Sequence, residues 1–161
     1  MMNNGELEFD ESSVSWVRNL RRWFHRYPEP SFEERKTQEK VIEALNGLGI
    51  EHRPAGGTGV IATIYGKGKG KTIALRTDMD ALRIQEAETA LNPDYRSNHA
   101  GVMHACGHDG HMAMVLGAAR WLQVTIHETV KDSFRSENRP ARRRHPIPAH
   151  HPHPPHDQLE H

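Results

Sequence analysis

The chain has 161 residues and a mass of 18.3 kDa, enough for one domain of modest size. It carries 21 basic and 21 acidic residues, so it has no net field that would attract nucleic acid. No apolar run approaches the roughly 18 residues of a membrane span, and the first 13 residues are polar and acidic rather than signal-like. We therefore expect a cytoplasmic protein that binds neither nucleic acid nor membrane. The single cysteine excludes an intrachain disulfide.

The composition changes near residue 123. Residues 124–161 contain no glycine, yet they hold six of the ten prolines and seven of the thirteen histidines. Too little apolar surface is available there to offset an ordering cost of about 1–2 kcal/mol per residue. We expect a flexible N-terminus over residues 1–13 and a folded part over 14–123. The Pro/His/Arg-rich tail over 124–161 is predicted to be disordered beyond a frayed helix that ends near residue 136.

Two amphipathic helices are predicted in the first 50 residues. Apolar residues recur at three- and four-residue steps between positions 14 and 27, which predicts a helix behind Ser12 or Ser13 that ends before Pro28. Ser31 and Glu34 have the spacing of a capping box. They are followed by a second apolar stripe through residue 45 and by glycines at 47 and 49, where the second helix is expected to end.

Two β-rich runs and a third helix follow. The runs Gly59–Tyr65 and Thr72–Thr77 are separated by alternating glycines and lysines, which predicts a hairpin with a lysine-rich tip. A third helix is predicted over Gly110–Leu122, where small residues suit close packing on a sheet. This order of elements predicts an α/β or α+β layer structure.

Two aspartates follow the second β-rich run. Asp78 and Asp80 are two residues apart, so an extended backbone directs both to one side, where they can hold a cation or orient a metal-binding histidine. A strand-end turn with solvated carboxylates is the alternative, since aspartate is common in turns.

The segment from His104 to His111 contains three histidines, a thiol and a carboxylate. Cys106 and His108 are separated by one glycine, so an extended stretch directs both toward a single centre. His111 shares a face with His108 if a helix has begun by then. Thiolate and imidazole together suit a borderline-soft divalent ion. From the residues alone, a metal site, a thiol nucleophile and a structural loop all remain open.

Three runs carry motifs in a common order: Leu20–Glu34, Arg76–Glu86 and Gly101–Ala119. The first follows the pattern Arg-x-x-x-His-x-x-Pro-Glu-x-Ser-x-x-Glu, and the third contains Met-His-Ala-Cys-Gly-His-Asp-Gly-His. Together they resemble the M20 metallopeptidase family, in the amidohydrolase branch of hippurate hydrolase, N-acyl-amino-acid hydrolases and indole-acetyl-amino-acid hydrolases. The resemblance covers about residues 14–123.

The resemblance implies an α/β fold, the N-terminal part of a zinc-peptidase-like catalytic domain with helices packed on a mixed sheet. It implies hydrolysis of linear amide bonds in small N-acyl amino acids by two divalent ions, manganese, zinc or cobalt, that share a water. Cys106 and His108 match the family's first two metal ligands. Asp78 takes the place of the catalytic-site aspartate that supports the metal centre. His25 is expected to shape the fold, and Asp109 and His111 receive no ligand role.

Several parts of the family pattern have no match in the sequence. The resemblance requires a Pro-Ala-Glu-Glu segment with the proton-shuttling glutamate, two later histidine ligands, and a smaller domain through which the family dimerises. None of these is found over residues 124–161. We therefore expect a truncated enzyme with little or no activity, an unpaired sheet edge, and a tail translated from a shifted frame or an alternative exon.

Three alternatives come from other functional classes. The first is a non-catalytic fragment, or a metal-binding protein whose histidine-rich tail over His145–His161 holds divalent ions. The second is a nucleic-acid arm around Arg142–Arg144, which the small net charge of the tail disfavours. The third is a cysteine-nucleophile enzyme that uses Cys106 with a neighbouring histidine.

Overall fold

A computed structural model describes residues 9–89 and 94–131. In chain order it contains α1 (Glu11–Arg26), α2 (Arg35–Gly47), β1 (Glu51–Ala55), β2 (Gly59–Thr63) and α3 (His108–Lys131). The strands form a two-stranded antiparallel sheet. α1 packs along α3, and α2 contacts both the sheet and α3. In the part of the chain described here, no helix combines the length and hydropathy that a bilayer span requires.

The apolar core lies where the three helices meet. Each helix contributes residues spaced three or four apart, as an amphipathic helix requires. The buried apolar cluster consists of Leu20, Phe24, Val41, Leu45, Ile50, Met112, Ala113 and Leu116. A Cβ at Gly117 would lie 2.8 Å from Cγ2 of Val17, so a glycine here lets α1 and α3 approach closely. The small residues of the third helix therefore serve its packing on α1 rather than on a sheet.

The first helix begins earlier than predicted because its cap is an aspartate. Oδ1 of Asp10 accepts a hydrogen bond from the backbone N–H of Ser13 at 2.8 Å, which satisfies a free amide of the first turn. α1 therefore starts at Glu11, and the predicted start behind Ser12 or Ser13 is wrong. The predicted end before Pro28 is confirmed.

The second helix is capped by a residue outside the predicted capping box. Glu34 occupies the N-cap position, but its side chain makes no cap bond and instead accepts a hydrogen bond from Oγ1 of Thr58 at 2.7 Å. Oε2 of Glu29 accepts from both the backbone N–H and the Oγ1 of Thr37, each at 2.8 Å. The cap role predicted for Ser31 is wrong, because a carboxylate before the helix reaches these donors first.

The hairpin forms between different strands from those predicted. β2 pairs with β1 in the register Glu51↔Thr63 through Ala55↔Gly59, not with the run Thr72–Thr77. Gly56 and Gly57 have φ values of 60° and 86° in the turn that joins these strands. Two consecutive residues in the left-handed region build a tight turn that glycine enters without steric strain.

The run Thr72–Thr77 is not a strand in this structure. Its apolar side chains face solvent, with Ile73 85% and Leu75 60% exposed. Within residues 9–89 and 94–131 no other backbone segment pairs with it. A β-rich sequence without a partner strand has nothing to satisfy its hydrogen-bonding groups except water.

α3 is longer than predicted at both ends. It begins at His108 instead of Gly110 and continues to Lys131, so it crosses the domain boundary predicted at residue 123. The frayed helix predicted over residues 124–136 coincides with α3 as far as Lys131. Residues 132–161, which include most of the predicted tail, lie outside the described residues, as do residues 1–8 of the predicted flexible N-terminus.

The cap on α2 gives a stability prediction. Replacing Glu29 with alanine leaves the first-turn donors of α2 without their carboxylate, so we expect the free energy of unfolding to fall by about 1–2 kcal/mol. Urea unfolding followed by circular dichroism measures the change. Glu33→Ala is the matched control, because Glu33 makes only an exposed ion pair with Arg83, worth about 0–1 kcal/mol. Equal losses in the two variants would contradict the capping role.

Candidate metal centre

Two isolated β-bridges bring the aspartate run beside the Cys-Gly-His cluster. Ala81 pairs with Pro30, and Leu82 pairs with Met103. Leu82 and Met103 exchange both of their backbone hydrogen bonds, at 2.9 and 3.0 Å. Because Met103 immediately precedes the cluster, residues 78–82 lie alongside the start of the candidate site.

The chain turns at Gly107 to begin α3. Gly107 has a φ of 87°, in the left-handed region where a side chain is strained. Its carbonyl accepts hydrogen bonds from the backbone N–H groups of Gly110 and His111 at 3.0 and 3.2 Å. The helix has therefore begun at His108, and the rings of His108 and His111 lie on one face with centroids 5.9 Å apart.

Asp80 holds the ring of His108. Nδ1 of His108 lies 2.9 Å from the backbone oxygen of Asp80 and 3.1 Å from its Oδ1. Both oxygens are acceptors, so Nδ1 donates and the neutral ring keeps its lone pair on Nε2. Among the described residues, Nε2 has no hydrogen-bond partner. Proteins use this carboxylate–imidazole arrangement to present a histidine to a metal ion.

The donor set fits a divalent ion in kind but is short in number. Cys106 is an exposed free thiol, and His111 is also exposed. Thiolate and imidazole are the donors that borderline ions such as zinc prefer. Over residues 9–89 and 94–131, however, no group of three or more His, Cys, Asp or Glu residues is arranged to hold a metal. The described residues therefore do not by themselves complete a metal site.

The two aspartates of the strand-end run have different partners. Oδ1 of Asp78 pairs with the exposed guanidinium of Arg76 at 2.9 Å, and Asp80 contacts His108. Of the two aspartates, Asp80 is therefore the one that contacts a histidine in this structure. The supporting role that the resemblance gives Asp78 stays a prediction.

A buried ion network lies behind the candidate site. Nδ1 of His25 lies 2.8 Å from Oδ2 of Asp109, and its Nε2 lies 3.0 Å from Oε1 of Glu86. All three residues are buried. Nε of Arg21 reaches the same Oδ2 of Asp109 at 2.9 Å, and the ring of Tyr95 packs edge-on against His25.

The network shifts the pKa values of its members in opposite directions. The hydrogen bond to Asp109 raises the pKa of His25 above its usual range, burial opposes this, and the bond to Glu86 adds to it. Burial alone would raise the pKa of Asp109, but the hydrogen bond from His25 and the charge of Arg21 outweigh it and lower that pKa. A charged His25 and a charged Asp109 therefore stabilise each other.

His104 is buried beside this network without a partner. Neither ring nitrogen has a hydrogen-bond partner among the described residues. Burial lowers the pKa of His104 to about 4, so the ring is neutral near pH 7. An unsatisfied buried polar group costs about 1–3 kcal/mol.

The ion network was not found from the sequence. His25 was expected only to shape the fold, Asp109 had no assigned role, and Glu86 was not singled out. His25 is 61 residues from Glu86 and 84 residues from Asp109 in the chain. The only signal was the presence of all three residues in the three motif runs.

Comparisons with known proteins agree with the motif analysis. The family model for Peptidase family M20/M25/M40 matches residues 74–135. Thermostable carboxypeptidase 1 of Saccharolobus solfataricus is 44% identical over 128 residues, which cover 78% of this chain and 32% of that protein. N-acyl-L-amino acid amidohydrolase of Geobacillus stearothermophilus is 44% identical over 127 residues, covering 78% of this chain and 31% of that protein.

A solved structure shares the fold. The Bacillus subtilis YXEP protein, described as a dinuclear metal binding peptidase from the M20 family, superposes with a TM-score of 0.68 and 40% identity. The match covers 74% of this chain and 33% of that chain. The described residues thus form part of an α/β peptidase domain, as the sequence predicted. The chain belongs to the M20 peptidase family, and it spans about a third of the length of the curated relatives it matches.

The raised pKa of His25 makes the stability depend on pH. Its stabilising contribution is complete below the unfolded value of about 6.5 and is lost as the pH rises through the folded pKa. We therefore expect wild type to exceed His25→Gln in unfolding free energy by a larger margin at about pH 6 than at about pH 9. Urea unfolding at the two pH values measures both margins. Equal margins would show that His25 is not charged in the folded protein.

Proposed function

We propose that this chain carries part of the metal centre of an amidohydrolase that acts on small N-acyl amino acids. The proposal rests on one observation: Asp80 holds Nδ1 of His108, leaving Nε2 free for an ion, and the exposed thiol of Cys106 lies two residues earlier in the chain. The relative from Geobacillus stearothermophilus is named as an N-acyl-L-amino acid amidohydrolase, which supports this substrate class. The YXEP protein supports a dinuclear centre.

The residues of the chain have distinct roles in this proposal. Cys106 and His108 hold a divalent ion, and Asp80 fixes the tautomer of His108. Asp78, two residues before Asp80 in the chain, supports the centre. When bound, the ion supplies the Lewis acidity that amide hydrolysis needs. Thiolate and imidazole donors favour zinc or cobalt over calcium and magnesium, which prefer oxygen ligands. The remaining donors and the proton-shuttling glutamate come from outside the described residues.

Cobalt binding tests the proposed ligands. The full 161-residue chain is titrated with Co²⁺ while the near-ultraviolet thiolate-to-cobalt absorption is recorded. Because Cys106 is the single cysteine, this band reports its thiolate and no other. We expect Cys106→Ser to abolish the band and Asp80→Asn to weaken binding about 10- to 100-fold. His52→Gln, a histidine on β1 that contacts the backbone oxygen of Ile50, is the control and should leave the titration unchanged. No band in wild type would refute the proposed metal site.

The proposal also predicts weak catalysis by this chain. Loss of a general acid/base lowers rates by about 10²- to 10⁴-fold, so we expect little or no metal-dependent hydrolysis of hippurate by the 161-residue chain. Hydrolysis is measured with and without chelator in metal-supplemented buffer. Substantial chelator-sensitive turnover would show that the chain itself supplies the missing groups. Turnover that resists chelator but is lost on thiol alkylation would favour Cys106 as a nucleophile.

A further inference from the structure

His25 contacts a carboxylate with each of its ring nitrogens. Its Nδ1 lies 2.8 Å from Asp109, and its Nε2 lies 3.0 Å from Glu86. A carboxylate only accepts hydrogen bonds, so a neutral ring would place one bare nitrogen lone pair against an oxygen. An imidazolium satisfies both contacts. With Arg21, whose side chain is 40% exposed, also on Asp109, the group then contains two positive and two negative charges.

The two carboxylates hold opposite ends of one chain segment, residues 97–109. Oε2 of Glu86 accepts a hydrogen bond from the backbone N–H of Ser97 at 2.6 Å, which fixes the start of the segment 97–109. Asp109 is the second residue of α3 and forms its end. His25, on α1, therefore fastens both ends of the segment to the helical core at once.

The same segment contains both candidate metal ligands of this chain. Between its ends it is held by further contacts: Nδ1 of His99 lies 2.7 Å from the backbone oxygen of Pro28, and the N–H of Gly101 donates to Gln85 at 2.8 Å. Cys106 follows these anchors, and His108 precedes Asp109 directly. The position of each ligand thus depends on where the two ends of the segment are held.

We propose that His25 is a positioning residue for the candidate metal centre, because its simultaneous contacts with Glu86 and Asp109 order the ligand-bearing segment before an ion binds. The inference rests on the proposed metal site. A segment that is ordered in advance loses less conformational freedom on binding, so affinity is higher. Groups that hold metal ligands in place typically change metal affinity about 10- to 100-fold when mutated.

Hydrogen exchange tests the ordering without any metal. In the full chain, His25→Gln keeps a donor and an acceptor but cannot contact two carboxylates as a cation. We expect faster amide exchange over residues 97–109 in this variant and unchanged exchange in β1 and β2. Asp109→Asn weakens one end of the same link and is expected to give the same pattern. It serves as the second variant if His25→Gln fails to fold.

Cobalt titration tests the consequence for the ligands. We expect His25→Gln to weaken Co²⁺ binding about 10- to 100-fold, read from the thiolate-to-cobalt absorption of Cys106. Ile50→Val removes a methyl group from the core and lowers stability moderately, and Ile50 lies outside the segment. This control should leave the cobalt affinity unchanged, which separates positioning from a general loss of stability.

The outcomes are distinguishable. Faster exchange over 97–109 together with weaker cobalt binding supports the inference. Unchanged exchange overturns it, and so does faster exchange with unchanged affinity, since ordering would then not reach the ligands. If wild type itself gives no thiolate-to-cobalt band, the proposed metal site fails first and the positioning role falls with it, whatever the exchange data show.

Discussion

The contact between the imidazole of His25 and the carboxylate of Asp109 connects the two helices that form most of the core. A carboxylate buried to this degree is tolerated only when it is paired and hydrogen-bonded, and Asp109 meets this condition twice, through His25 and Arg21. Both partners lie on α1, so the condition is met only when α1 and α3 are in one register. Apolar packing around Gly117 brings these helices close, and the ion network selects how they align.

Neighbouring residues in the first turn of α3 have different contacts. His108 faces Asp80, and Asp109 faces the core, because consecutive residues on a helix point about 100° apart. One side chain is therefore available for chemistry while the next anchors the turn. The left-handed backbone at Gly107 starts the helix at the residue that makes this division possible.

The helices were predictable from the sequence, but β1 and the pairing of the strands were not. Apolar periodicity located α1 and α2, because helix formation depends on neighbours three and four residues apart. The predicted hairpin was wrong because the sequence has two glycine-rich stretches that could form its turn. Only Gly56 and Gly57 lie between two strands that pair. At the candidate site, the motifs singled out Cys106 and His108, and their ligand roles stay predictions. That Asp80 rather than Asp78 contacts His108 depends on a bridge between Leu82 and Met103, which no local pattern encodes. The family was evident from three motifs in order.

The exposed run that contains Ile73 and Leu75 is preceded by charged residues that disfavour self-association. Lysines at 67, 69 and 71 precede it at two-residue steps and are exposed, so in an extended backbone they project from the same side as these two apolar side chains. Charged residues that flank an aggregation-prone apolar segment act as gatekeepers against edge-to-edge association. A second copy of the chain could pair its own run with this one only by bringing two rows of lysine ammonium groups together. The glycines between these lysines thus keep the three ammonium groups on one side of the backbone, where their like charges oppose self-association.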